Sequence, residues 1–285
     1  MTKRLLLPYG LVGPGLLAAL ALVALPLLLT LSLSFLPFTY ADGIGDGFTM
    51  ANYVEIATDG YYQEIFLRTF LLALIVTGVS ILIGAPEAYI LARLSPFMRA
   101  IAFVVVLGPL LISVVVRTLG WTILLGNEGV INRVLLSIGL ISEPIRLMYT
   151  FTGMAIALVH VLVPFVVLAV WTSLQKLDPA TEQAAESLGA GPLTTLTRIV
   201  LPQVLPGVLS GGLIVFALAS SAFATPAIIG GRRLKVVSTT IYDEFLNYLN
   251  WPLGAALALV LLVIVLVISV GVSRFVERRY KQAFQ

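Results

Sequence analysis

The sequence has no cysteine and only one histidine, His160. Without cysteine, the chain can form no disulfide, no thiolate metal site and no thiol nucleophile. It also lacks the glycine-rich loop that cradles nucleotide phosphates, the His-Glu-x-x-His zinc motif and the nucleophile elbow of hydrolases. These absences predict a chain that is not an enzyme and that binds no metal or cofactor of its own.

Charged side chains are also scarce, at 11% of the 285 residues, whereas soluble globular domains carry about 25%. Hydrophobic residues reach 59%, and the mean hydropathy is +1.05. The net charge is only +3 and no nucleic-acid-reading motif accompanies it, so a nucleic-acid partner is not expected. The composition predicts a polytopic membrane protein whose main partner is the lipid bilayer.

Long apolar runs recur along the whole chain. Because a helix rises 1.5 Å per residue, about 20 apolar residues are needed to cross about 30 Å of hydrocarbon. The sequence therefore predicts an all-α protein with six transmembrane helices in a single domain over residues 1–285. The predicted spans are approximately Leu11–Phe35, Ile65–Leu91, Ala100–Leu125, Phe151–Leu174, Val204–Ala224 and Pro252–Ser273.

The distribution of basic residues predicts which side of the membrane each loop occupies. With the N-terminus inside, six spans return the C-terminus to the cytoplasm, and the inner segments hold most of the 17 Lys and Arg residues. The last predicted outer loop is an exception, because it contains the basic residues Arg232, Arg233 and Lys235. The inner basic residues are Lys3, Arg4, Arg93, Arg99, Lys176, Arg198, Arg274, Arg278, Arg279 and Lys281.

The longest predicted cytoplasmic segment, about 175–203, contains a short helix. Asp178 suits the N-cap, Pro179 suits the first helical position, and Gly189 is expected to end the helix. Such a helix could dock into a cleft on a partner or rest on the membrane surface, and these features leave both open. One face carries small and apolar residues, which are Leu177, Thr181, Ala184, Ala185 and Leu188.

The same segment carries a spaced motif. It reads Gln183-Ala184-Ala185, three residues, Gly189, nine residues, Ile199, one residue and Leu201-Pro202. This resembles the loop of ABC importer permeases, whose pattern begins Glu-Ala-Ala. The family has Glu where this chain has Gln183, and Glu182 lies one residue earlier, about 100° away around a helix. The resemblance implies that the loop is the coupling helix of a type I importer permease, which seats in a groove on an ATPase subunit.

Further segments resemble the permeases for spermidine and putrescine. The resemblance therefore implies a polyamine or a related small amine as the substrate. Because the same group also serves amino acids, opines and phosphonates, those solutes are the alternatives. A different class, an ion-coupled secondary transporter in which Glu87 or His160 relays protons, is the rival reading. The segments are 52–53, 61–62, 67–69, 116–121, 125–126, 129, 131–132, 143–147, 224–227, 230–231 and 251–256.

The resemblance also implies an assembly in the bacterial inner membrane. The chain is expected to pair with a second, homologous permease as a heterodimer. Two ATP-binding subunits are expected to use ATP and Mg²⁺, since this chain has no nucleotide loop. An extracytoplasmic binding protein is expected to deliver the solute.

Polar residues inside the predicted spans are candidates for the translocation path, because such groups are costly in lipid. Glu87 could attract a cationic substrate, or could snorkel or pair with an arginine. Arg117 could line the path, gate it or hold the following loop, and His160 could line the path or bond between helices. Ser221 and Thr225 lie four residues apart on one face and could pack helices or line the path.

Overall fold

The computed structural model describes residues 3–231 and 233–279. Contacts divide the chain into two compact units. The first unit comprises the chain up to Glu64 together with Thr240–Val263, and the second comprises Ile65–Thr239 together with the chain from Ile264. The assignment of residues 1–285 to a single permease domain stays a prediction.

Helices account for most of the described chain. They are α1 Lys3–Leu33, α2 Ala51–Thr58, α3 Gly60–Arg93, α4 Pro96–Leu111, α5 Val114–Leu125, α6 Val130–Ser137, α7 Phe151–Leu174, α8 Pro179–Ser187, α9 Pro192–Thr195, α10 Leu201–Ser220, α11 Val237–Tyr242 and α12 Trp251–Arg279. Strands β1 Phe38–Thr39 and β2 Gly43–Ile44 form a two-stranded antiparallel hairpin. Short π-helical segments cover Leu196–Val200, Pro226–Gly230 and Asp243–Asn247.

Six segments of the described chain are long and apolar enough to cross a membrane. This agrees with the predicted number of spans. The segments are Gly13–Leu33, Gly60–Arg93, Val114–Ser137, Phe151–Leu174, Pro192–Ser220 and Trp251–Phe275, and Pro96–Leu111 is a shorter apolar helix.

The third span is not the continuous helix that the sequence predicted over Ala100–Leu125. Helix α4 has 16 residues and α5 has 12, so they reach only about 24 Å and 18 Å, and neither crosses about 30 Å of hydrocarbon alone. Ile112 and Ser113 between them are extended, with ψ of 139° and 134°. The end of α4 is weakened by Gly108, which has low helix propensity, and by Pro109, which cannot donate a backbone hydrogen bond.

The fifth span begins earlier than the predicted Val204. Helix α9, a π-helical segment and α10 follow one another without a break, so the span covers Pro192–Ser220. The motif residues Ile199, Leu201 and Pro202 therefore lie within the first turns of this span. The end of the motif and the fifth span form one continuous element.

Helix α7 is the centre of the second unit, and it packs along α10. Two glycines of α10 allow the close approach. A Cβ at Gly207 would lie 2.7 Å from the carbonyl oxygen of Ala169, and one at Gly211 would lie 3.1 Å from the Cα of Val166. Burial of apolar surface contributes little to helix association in a membrane, because the lipid is itself apolar. Small residues at a crossing stabilise the association by letting the two helices pack closely.

Replacing Gly207 with alanine is expected to destabilise this packing. The added methyl group meets both the Ser173 side chain and the backbone carbonyl oxygen of Ala169, and such overpacking costs about 1–3 kcal/mol. The apparent melting temperature of the detergent-solubilised protein should fall by several degrees. Gly78→Ala is the matched control, since a Cβ there meets no atom of the described chain within 4 Å. Equal melting temperatures for the two variants would contradict the packing.

In the first unit, a side chain caps the C-terminal end of α1. The Asn52 side-chain amide donates to the carbonyl oxygens of Ser34 at 2.9 Å and Leu36 at 3.1 Å. The hydroxyl oxygens of Ser34 and Tyr53 lie 2.7 Å apart. The two bonds from Asn52 satisfy carbonyls just beyond the end of α1, and together with the hydroxyl contact they join α2 to the end of the first span.

Candidate functional site

The predicted coupling helix is present as α8, with the predicted caps. The Asp178 carboxylate accepts a hydrogen bond from the backbone N–H of Ala180 at 2.9 Å, and Pro179 occupies the first turn. Gly189 has a φ of +83°, in the left-handed region that favours glycine. The backbone N–H of Ala190 then donates to the carbonyl of Ala185 at 3.0 Å, which closes the helix end.

The small-residue face of α8 divides between two environments. Ala185 is buried against the protein, whereas Ala184 and Gln183 are exposed. Leu188 is 90% exposed and Leu193, just beyond, is 74% exposed. An exposed leucine pair beside an alanine and a neutral amide is a surface of the kind that partners bury.

An ion pair fixes α8 to the C-terminal end of α3. Glu182 accepts from the guanidinium of Arg93. Arg93 also donates to the Tyr89 hydroxyl at 2.9 Å, and its guanidinium carbon lies 4.8 Å from the centre of the Tyr89 ring. Sequence reasoning missed this pairing, because Arg93 and Glu182 are 89 residues apart and neither shows a local signal for the other.

The path candidates do not form one cluster. Glu87 and His160 line the same cavity, which has a volume of about 690 Å³ and lies between α3, α4, α5 and α7. Trp121, which was not among the path candidates from the sequence, also lines it. Its indole N–H donates to Nδ1 of His160 at 3.3 Å. The histidine therefore both lines the cavity and bonds between helices.

Arg117 supports the broken third span. Its guanidinium donates to the carbonyl oxygen of Pro109, close to the end of α4. Carbonyls in the last turn of a helix have no partner within the helix, and a cation suits that end of the helix dipole. Because Pro109 also lines the cavity, Arg117 helps to fix the shape of the cavity wall.

Ser221 and Thr225 lie apart from the residues that line this cavity. The Ser221 hydroxyl donates back to the carbonyl of Ala217 at 2.9 Å. Thr225 is buried, and its hydroxyl oxygen lies 3.3 Å from that of Thr118 on α5. The geometry places Thr225 in a contact between helices.

A second cavity of the same unit has a different chemistry. It has a volume of about 1000 Å³, and its lining includes Arg146, Arg233, Asn127 and Thr150. The two guanidinium groups make it suited to an anionic group. A backbone hydrogen bond fixes the wall of this cavity: the N–H of Tyr149 donates to the carbonyl of Ile229 at 2.9 Å.

Similarity to known proteins extends over nearly the whole chain. The family model described as "Binding-protein-dependent transport system inner membrane component" matches residues 16–282. The spermidine/putrescine transport system permease protein PotB of Escherichia coli is 34% identical over 241 residues, which cover 85% of this chain and 87% of PotB. PotB of Haemophilus influenzae is 32% identical over 241 residues, covering 85% of this chain and 84% of that protein.

A solved structure shows the same fold. A bacterial alginate ABC transporter, in complex with a periplasmic protein bound to an alginate pentasaccharide, has a chain that superimposes with a TM-score of 0.79. The identity is 20%, and the match covers 98% of this chain and 96% of that one. The match confirms the predicted all-α fold of a type I importer permease. The family and PotB matches confirm the resemblance indicated by the loop motif.

Proposed function

Because the chain belongs to the family of binding-protein-dependent transport system inner membrane components, we propose that it is the permease subunit of an ATP-driven importer for spermidine, putrescine or a related small amine. The observation that carries this proposal is the similarity to PotB over 85% of the chain. The motif from Gln183 to Pro202 supports the same mechanism, because a secondary transporter has no use for a docking helix of this form. The chain is a multi-pass inner-membrane protein, and its N-terminus lies in the cytoplasm in this proposal.

The proposed assembly has four kinds of subunit. This permease pairs with a second, homologous permease, and two ATP-binding subunits sit beneath the pair on the cytoplasmic side. The segment from Glu182 through Gly189 to Pro202 seats on one of these subunits. An extracytoplasmic binding protein delivers the amine to the outer loops.

The chemistry of ATP hydrolysis belongs to the partner subunits, which bind ATP and Mg²⁺. This chain contributes no catalytic residue. Closure of the ATP-binding pair moves α8, and α8 transmits the movement through two routes. One is the continuous element from α9 into α10, and the other is the ion pair between Glu182 and Arg93 at the end of α3.

Uptake of labelled spermidine and putrescine tests the proposal. Cells lacking the gene are compared with the parent, with ATP depleted and, separately, with the proton gradient collapsed. Loss of uptake in the deletion strain and dependence on ATP in the parent are expected. Uptake that follows the proton gradient and ignores ATP would instead indicate the ion-coupled class.

Import of a phosphonate is the second candidate, and the cavity that contains Arg146 and Arg233 favours it. Guanidinium groups bind phosphonate oxygens in a bidentate manner and repel polyamines. A phosphonate substrate predicts unchanged polyamine uptake in the deletion strain and lost growth on phosphonate as the phosphorus source. Amino acids and opines are tested in the same strain by uptake of the labelled solute.

A further inference from the structure

The cavity between α3, α4, α5 and α7 has the size of a small-molecule site. Its volume of about 690 Å³ falls within the range of roughly 300–1,000 Å³ that is typical of ligand pockets. Its walls are mostly aliphatic, and Ile75, Val79, Ile83, Val159 and Val163 are among the residues that line it. Such walls suit a hydrocarbon chain rather than a sugar or a strongly hydrated anion.

Glu87 is the exception in this wall. Among the described residues that line the cavity, it is the one whose side chain carries a formal charge at neutral pH. No hydrogen-bond or ion-pair partner for its carboxylate occurs within residues 3–231 and 233–279. A carboxylate inside a membrane span is costly without a partner, and it marks a functional site by default.

The arginines on the helices around the cavity bond to groups other than Glu87. Arg68 on α3 donates to the carbonyl of Lys235, and Arg99 on α4 donates to the carbonyl of Leu94 at 2.8 Å. Arg93, six residues further along α3, is engaged by Glu182 and Tyr89. Arg117 on α5 donates to the carbonyl of Pro109. No arginine of the described helices around the cavity therefore pairs with the Glu87 carboxylate, and this group is available to a cationic ligand.

We propose that this cavity is a contact site for the transported amine, in which the Glu87 carboxylate binds a protonated amino group and the aliphatic walls hold the methylene chain. Trp121, fixed by its bond to His160, presents an aromatic ring to a second ammonium group of a diamine. The inference rests on the proposed function, and it names the residue of this chain that recognises charge. A lipid acyl chain in the same cavity would make no favourable contact with the carboxylate, because an acyl chain carries no cationic group.

Maximal uptake of labelled putrescine tests this site in cells that carry the complete transporter. Glu87→Gln removes the charge and keeps the shape, and uptake should fall by about ten-fold or more, the loss expected for a charge-assisted hydrogen bond. Glu87→Asp keeps the charge and should retain more uptake than Glu87→Gln. Glu128→Gln is the matched control, because that carboxylate is exposed and lies outside the residues that line the cavity.

A chemical test separates failure of the site from failure of the proposed function. A hydrophobic carbodiimide should modify Glu87 in the purified transporter, and millimolar putrescine should slow that modification as followed by mass spectrometry. Uptake at the parental rate by Glu87→Gln would overturn the site while the proposed function stands, and so would modification that putrescine does not slow. If the parent imports neither putrescine nor spermidine, the proposed polyamine import fails, and protection of Glu87 by putrescine still shows whether the cavity binds an amine.

Discussion

A chain carrying Gly189→Asp is expected to insert into the membrane in normal amount but to lose both its ATPase subunit and substrate uptake. A side chain at this position meets no atom of the described chain within 4 Å, and the strain of a φ of +83° is smallest for aspartate and asparagine among the larger residues, so the permease itself should still fold. The new carboxylate stands beside the exposed Leu188, on the surface proposed to be buried by the partner. A buried charge without a partner costs about 2–5 kcal/mol, so association should weaken at least thirty-fold.

Co-purification of the ATPase subunit with the tagged permease measures this effect, and uptake is followed in the same cells. Gly189→Asn is the control, because asparagine is, with aspartate, among the non-glycine residues that most often adopt a positive φ, and it has the shape of aspartate without its charge. Gly189→Asn should retain more association than Gly189→Asp. ATPase binding and uptake that both survive Gly189→Asp would show that this loop is not the coupling helix.

Reversing the charge of Arg93 should uncouple ATP hydrolysis from uptake while leaving the permease folded. The Arg93 side chain is 52% exposed and that of Glu182 is 17% exposed, so the pair stabilises the fold by about 1 kcal/mol or less. Its larger role is to join α8 to α3, whose residue Glu87 lines the cavity. In Arg93→Glu, uptake per ATP hydrolysed should fall by about two- to thirty-fold, the range of known coupling substitutions.

The double variant Arg93→Glu, Glu182→Arg provides the control for this prediction. It restores an ion pair of opposite polarity at the same place, and it should recover a large part of the lost coupling. The single variant Glu182→Arg completes the set, and the melting temperatures of all three variants should lie within a few degrees of the parent. Two single variants with parental uptake per ATP would contradict a role for the pair in transmission.

The caps of α8 could be predicted from the sequence because they depend on near neighbours. Asp178, Pro179 and Gly189 each act within one or two turns of the helix, and the structure places all three as predicted. The loop motif has the same local character. Because the caps and the motif are both local, the sequence alone predicted the family as well as the helix.

The cavity and the ion pair could not be predicted in the same way. Membrane helices are apolar on nearly every side, so the pattern of residues does not indicate which face of a helix meets its neighbours. Glu87, Trp121 and His160 come from three spans, and only the packing of α3, α5 and α7 brings them to one cavity. The pairing of Glu182 with Arg93 depends on the same packing.

The break in the third span had a visible signal that the sequence alone could not interpret. Gly108 and Pro109 stand side by side in the apolar run. Pro86 and Pro164 lie inside α3 and α7 without breaking them, so a proline alone does not predict a break. The Arg117 guanidinium reaches the Pro109 carbonyl only in the folded structure. This contact distinguishes Pro109, near a helix end, from Pro86 and Pro164 inside their helices.

Transport by the purified complex in proteoliposomes tests most directly whether this chain is a permease driven by ATP. The complete transporter is reconstituted with its binding protein outside and ATP and Mg²⁺ on the side of the ATPase subunits, and entry of labelled spermidine is measured. Entry is expected only when both ATP and the binding protein are present, and an imposed proton gradient should not replace ATP. Entry driven by the gradient without ATP would contradict the permease function proposed for this chain.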